Sequence, residues 1–229
     1  MSVLRGERGQ GFTLVELAVV LAIFGLLLSI MVIPLSTQID QQRISEAERH
    51  LGAVREAIIG FAIANGRLPC PANPATASGT AGAGTEHKPS VGCAVAEGVV
   101  PWTTLGVPET DPWGMRLTYR VSLAFADDPA TGMQASFLIT DAGNIVATDG
   151  ATNIATALPA IIVSHGKNQR GGFRSDGAQV AGATGNELEN ANNNATFVSR
   201  IHGPDFDDLL VWLSPNVLKS RMVAANRLP

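Results

Sequence analysis

The stretch from Phe12 to Leu35, FTLVELAVVLAIFGLLLSIMVIPL, constrains the chain more than any other. It holds one ionisable group, Glu16. As a helix, its 24 residues rise about 36 Å, enough to cross the hydrocarbon of a bilayer. The short segment before it, MSVLRGERGQG, carries Arg5 and Arg8. The positive-inside rule keeps such a segment cytoplasmic and sends the rest of the chain outward. A cleaved secretory signal would have an apolar core of roughly 7–15 residues and then a small-residue cleavage site. Here the run is longer and passes through Leu35-Ser36-Thr37 into charged, helix-patterned sequence. A buried core helix would need a larger surrounding domain. The expectation is a leader over 1–11 and a retained membrane span over 12–35.

The helical pattern continues past the span. Ile44, Ala47, Leu51, Val54, Ile58 and Phe61 recur at steps of three and four, one stripe of an α-helix. Gln41, Gln42, Arg43, Glu46, Arg49 and Glu56 lie on the other face. Asn65-Gly66 is a stop signal, and Pro69 prevents resumption. An amphipathic continuation over 36–66 is expected, with Gly25 and Pro34 as points where the helix can bend. The remainder, 67–229, reads as one globular domain.

Within it, Cys70 to Cys93 encloses PANPATASGTAGAGTEHKPSVG, which has almost nothing to bury and reads as a loop. Beyond a membrane span the compartment is oxidising, and these are the chain's two cysteines. A Cys70–Cys93 disulfide would stabilise by about 3 kcal/mol; the alternative is two unrelated thiols. Strands are expected over Met115–Phe125, Ser136–Thr140, Asn144–Thr148, Ala160–Ser164, Phe197–Ser199 and Leu209–Leu213. Asp141-Ala142-Gly143 reads as a hairpin turn between the second and third of these. A long Gly/Asn-rich loop runs from Gly166 to about Ala195, and PNVLKSRMVAAN is a closing helix capped by Ser214. The fold class is α+β: a long N-terminal helix packed on a C-terminal antiparallel sheet of about four to six strands.

Net charge is −4 with three lysines, Lys88, Lys167 and Lys219, which argues against nucleic-acid binding through a basic patch. Two cysteines are too few for a zinc finger. Ser164-His165 are sequence neighbours on a strand and point to opposite faces, so they make a poor catalytic dyad. No nucleophile elbow, metal-ligand pair or phosphate loop is present, and no enzymatic activity is expected.

Glu16 is the sharpest anomaly, since a carboxylate in hydrocarbon costs several kcal/mol unless paired. The span itself contains no cation. Cleavage before Phe12 would create one, a free amine four residues away on the same helix face. That pair could form within one chain or between neighbouring chains.

The N-terminal segment RGQG-FTLVELAVVLAIFGLLL resembles type IV pilins and the pseudopilins of type II secretion. The matching features are the short basic leader ending in Gly11, Phe12, Thr13-Leu14, Glu16 as fifth residue after the cut, and Gly25; Pro34 stands one residue later than the family's usual helix proline. The resemblance implies cleavage after Gly11 by a membrane-embedded prepilin peptidase and methylation of the Phe12 amine. It further implies extraction from the inner membrane into a filament by an ATPase and a platform protein. Glu16 would then pair with the amine of a neighbouring subunit. Asp111-Pro112-Trp113-Gly114 before Tyr119, and Ser164-His165-Gly166-Lys167-Asn168, are similar to turns of major pseudopilins. In those the loop region binds calcium. Asn168 stands where an acid would help, and Glu187, Glu189, Asp205, Asp207 and Asp208 are the oxygen donors at hand. These read as solvated loop charges, so no resident cofactor is expected, with calcium the one open possibility.

The expected function is a structural subunit of a pilus or pseudopilus, located in the inner membrane with its domain in the periplasm. Its expected partners are other pilin subunits, the peptidase, the assembly platform and, before assembly, membrane lipid. A domain of about 160 residues with long loops points to a minor subunit. The alternative is a periplasmic binding protein that the span merely tethers, which leaves Glu16 and Gly11 without a reason.

Overall fold

The computed structural model describes residues 11–228, with the side chains of 28–37 outside the described set. The leader therefore lies outside the described residues except for Gly11, and Pro34 lies among the undescribed side chains. The chain divides into two compact units, 1–42 and 43–229. One helix, α1 (Leu14–Asn65), contributes to both.

In the first unit, every residue from Gly11 to Leu27 is exposed, including Phe12, Leu14, Leu21 and Phe24. Among the described residues no helix is long and apolar enough to cross a membrane. The expected span runs on through 28–35, whose side chains are undescribed.

In the second unit, the predicted stripe of α1 is buried at Ala47, Leu51, Val54 and Ile58. It then turns to Ile59 and Ala62, while Phe61 stays half-buried beneath the Arg67 guanidinium, 5.1 Å away. The helix ends at the predicted place. Asn65 Nδ2 donates to the Phe61 carbonyl, and Gly66 takes φ 71° with its N–H on the Ala62 carbonyl.

Among the described residues, seven strands form two sheets, not the one expected. The first is antiparallel, in the order β1 (Glu97–Val99), β2 (Thr118–Val121), β5 (Ala160–Ser164), β7 (Leu209–Trp212). The second runs β4 (Asn153–Leu158), β3 (Ile145–Thr148), β6 (Thr196–Val198), with β3 and β6 parallel. The first sheet lies between α1 and the second sheet. Ala160 and Ile162 of β5 join the helix-side core with Leu51, Val54, Ile58 and Tyr119. Ile161 and Val163 join Ile145, Leu158 and Phe197 on the other side. β5 is thus buried on both faces, which is why it reads as an uninterrupted apolar run.

Several strand expectations are corrected. Met115–Phe125 is strand only over Thr118–Val121, and Leu123–Phe125 is a 3₁₀ turn that exposes Leu123 and buries Phe125. Ser136–Thr140 forms no strand, because Phe137 leaves the sheets to stack on Phe125, ring centroids 4.6 Å apart. The hairpin joins β3 to β4 at Asp149–Thr152, where Asp149 accepts from the Ala151 and Thr152 amides. Short helices α2 (Trp102–Leu105) and α3 (Gly185–Glu189) were not expected; the closing helix α4 (Pro215–Ala224) was, though Ser214 makes no side-chain cap bond.

The Cys70–Cys93 disulfide is formed, with Cα atoms 5.2 Å apart. Glu86 pins the loop from inside by accepting from Arg67 (2.7 Å) and the Cys70 amide (2.6 Å). Arg116, fully buried on the chain leading into β2, ties the loop to the rest. It pairs with Glu109 at 2.9 Å, donates to the Pro74 and Ser175 carbonyls, and stacks on Trp102.

Candidate functional site

The N-terminal site starts with Thr13, the residue before α1. Its carbonyl accepts the Leu17 amide at 3.1 Å. The Thr13 hydroxyl accepts the Glu16 amide at 3.2 Å, and Glu16 Oε2 accepts the Thr13 amide at 3.2 Å and its hydroxyl at 3.1 Å. This is a reciprocal capping box, which satisfies amides the first helical turn leaves open and places a carboxylate at the positive end of the helix dipole. The signal was in the sequence as Thr-x-x-Glu, and the sequence reading missed it. Glu16 therefore has a partner within its own helix, Thr13. Gly11 and Phe12 precede the helix and are exposed.

A second site lies at one end of the first sheet. β5 pairs with β7 so that Ser164 faces Leu209. One residue beyond that pair on each strand, His165 and Asp208 stand side by side, fully buried, with His165 Nδ1 3.7 Å from Asp208 Oδ1. His165 Nε2 lies 2.9 Å from the Thr118 hydroxyl. The side chains of Ser164 and His165 do diverge, Ser164 donating to Asp111 at 2.6 Å. With Thr118, His165 and Asp208 all sealed from solvent, the row of groups fastens β2, β5 and β7 together.

Next to this row, Glu187 of α3, Asp207 and Asp208 bring one carboxylate oxygen each within 4.8 Å of the others. Glu187 and Asp208 are each 2 % exposed, so the expectation of solvated loop charges is wrong for them. Burial is the main cause that pushes the Asp207 carboxyl up to about 6, with the charges of Glu187 and Asp208 adding to it. Gly166 allows the approach: at φ 56°, a Cβ there would collide with the Asp207 carbonyl. The other two candidates lie elsewhere. Asp205 is exposed and pairs with Arg200, and Glu189 accepts from Asn192 and Asn194.

Each acid is held through one oxygen. Asn168 Nδ2 donates to Glu187 Oε1 at 2.6 Å, the Asn168 amide to Asp207 Oδ2 at 2.7 Å, and Asn190 Nδ2 to Asp208 Oδ2 at 2.8 Å. Asp207 Oδ1, Asp208 Oδ1 and His165 Nδ1 are buried without a hydrogen-bond partner. Three carboxylates this close offer the oxygen donors that a hard divalent cation takes. Asn168, read from the sequence as a missing acid, is instead the donor that orients two of the three acids.

Residues 8–32 match the family model of the prokaryotic N-terminal methylation motif, the hallmark of type IV pilins and pseudopilins. No curated protein and no solved structure matches the chain.

Proposed function

We propose that the chain is a structural, minor subunit of a type IV pilus or type II secretion pseudopilus. In this reading prepilin peptidase cuts between Gly11 and Phe12, the Phe12 amine is methylated, and the subunit waits in the inner membrane with its domain in the periplasm. Assembly then runs through the N-terminal helix, driven by the platform, against other pilin subunits.

The observation that carries the reading is the capping box inside the methylation motif. It turns the Glu16 carboxylate toward the helix end at which the Phe12 amine arises on cleavage. Glu16 Oε2 is engaged by Thr13, and Oε1 is offered to the amine of a neighbour. In an apolar bundle an unpaired amine would cost several kcal/mol per subunit, so the pairing also sets the register of stacking. The exposed apolar surface over Phe12–Leu27 supplies the packing face.

The test combines processing with incorporation. Mass spectrometry of the mature protein should begin at methylated Phe12. Glu16→Leu should leave the protein inserted and cleaved yet at least about tenfold depleted from sheared filaments or pilin complexes, a loss of about 1.4 kcal/mol or more per subunit. Normal incorporation of the Leu variant would remove the pairing mechanism, and an intact leader in assembled material would remove the pilin reading.

A divalent cation such as calcium at Glu187, Asp207 and Asp208 extends the proposal. It would supply the positive charge that these buried acids lack and would fasten α3 to the turn before β7. Calcium chloride should raise the unfolding midpoint of the full chain, and chelator should lower it.

A further inference from the structure

We infer that the pocket between β1, β2 and the Gly/Asn-rich loop is a subsite for one uncharged hexose ring, free or at the end of a glycan. Tyr119 of β2 packs into the helix-side core, so its neighbours Thr118 and Arg120 face the other way. On that face the second sheet covers β5 and β7, where Ile161, Val163, Leu210 and Trp212 meet its apolar residues. Over β1 and β2 the cover is the polar loop instead. The result is a cavity of about 190 Å³ lined by Glu97, Thr118, Phe173, Gln179, Ala191 and Asn193. Drug-sized ligands occupy pockets of roughly 300–1,000 Å³, so the occupant here is smaller, of the size of a single sugar ring.

Charge narrows its chemistry. Glu97 and Arg120 are register partners across β1 and β2, joined at 3.1 Å and both largely buried. The same Arg120 nitrogen donates to Asn193 Oδ1 at 3.1 Å and so holds both residues in place. The ion pair is neutral as a whole: an anion would meet Glu97, and an ammonium would meet the Arg120 guanidinium. An uncharged ligand that both donates and accepts avoids each repulsion. Burial raises the Glu97 pKa and Arg120 offsets part of the rise, so a further donor to this carboxylate is favourable. Among the described residues no hydrogen bond reaches Glu97 Oε1, Gln179 Oε1 or Asn193 Nδ2. These are two acceptors and one donor for hydroxyl groups, and Phe173 adds apolar surface for the ring. Asn193 itself is held at φ 59°, in the left-handed region, a strain of the kind that collects at ligand sites.

Saturation-transfer NMR on the full-length protein, in a detergent without a sugar headgroup, tests the subsite with glucose, galactose and N-acetylglucosamine at millimolar concentration. At least one hexose should receive transfer. Ala191→Leu fills the cavity and should abolish the transfer while thermal unfolding stays cooperative. Should that variant fail to fold, Asn193→Gly keeps the positive φ, relieves its strain and removes the amide; it should bind about tenfold more weakly, the loss of one polar contact. The methyl glycoside of the bound hexose separates the sources: its binding assigns a glycan end, its failure a free sugar, and both support the subsite. No transfer to any of the three sugars, transfer unchanged in whichever variant folds, or binding of methylammonium chloride in their place would overturn it. The assembly reading rests on the N-terminal helix and is judged separately by the Phe12 N-terminus.

Discussion

Arg116 shows how much a single side chain decides here. Its guanidinium is fully buried and serves Glu109, two carbonyls and the face of Trp102 at once. Removing Arg116 strands the partly buried Glu109 and leaves two carbonyls without their donor, so Arg116→Ala should cost about 3 kcal/mol. Urea unfolding measures this, and a loss below about 1 kcal/mol would show that the loops hold without it. His50 gives a pH-dependent counterpart. It lines a cleft with Glu46, Arg49, Thr110 and Asp111, and its Nε2 is buried without a partner. Burial lowers its pKa below 6.5, partly offset by Asp111, the Pro108 carbonyl and Glu46. The unfolded chain therefore takes a proton first as pH falls. Stability from this group is complete above about pH 6.5 and is lost as pH drops through the lower folded value. His50→Gln should flatten the stability profile on the acid side of about pH 6.5. Superimposable profiles for the two proteins would remove His50 as the cause.

At the scale of elements, α1 carries two different jobs along one helix. From Ala47 to Ala62 it supplies the core, so Leu51→Ala or Ile58→Ala should cost about 2–5 kcal/mol in unfolding experiments. Ile39, 42 % exposed, should tolerate the same change within about 0.5 kcal/mol. The helix must also stop where it does. Gly66 sits at positive φ, and a Cβ there would collide with the Gln134 carbonyl. Gly66→Ala should therefore cost about 1–3 kcal/mol from the backbone alone. These elements were legible in the sequence because their signals are local: the three-four stripe, the Asn-Gly stop, the apolar run of β5. The second sheet was not. β3 pairs in parallel with β6, some fifty residues on, and nothing in either segment announces the partner. Ser136–Thr140 carries strand-like composition, yet the aromatic pair Phe125–Phe137 outweighs its propensity.

For the molecule as a whole, the disulfide and the acidic cluster join segments distant along the chain. Replacing Cys70 and Cys93 by Ser should lower stability by about 3 kcal/mol without unfolding the domain. Arg67–Glu86 and Lys88–Asp128 continue to hold the loop ends, at 2.7 and 2.6 Å. Loss of cooperative unfolding in the double variant would show that those ion pairs do not suffice. The sequence by itself determined what depends on neighbours along the chain. It set the apolar run with its one carboxylate, the methylation motif over residues 8–32, the helix period and its stop, and the only cysteine pairing open to the chain. Tertiary structure alone decided which acids matter. Glu187, Glu189, Asp205, Asp207 and Asp208 look alike in sequence, each a charge in a polar loop. Only the β5–β7 register, the glycine at 166 and the amides of Asn168 and Asn190 draw three of them inward. The other two remain in polar surface contacts. A buried carboxylate is tolerated only where donors reach it, and the donors here come from segments that folding alone brings together.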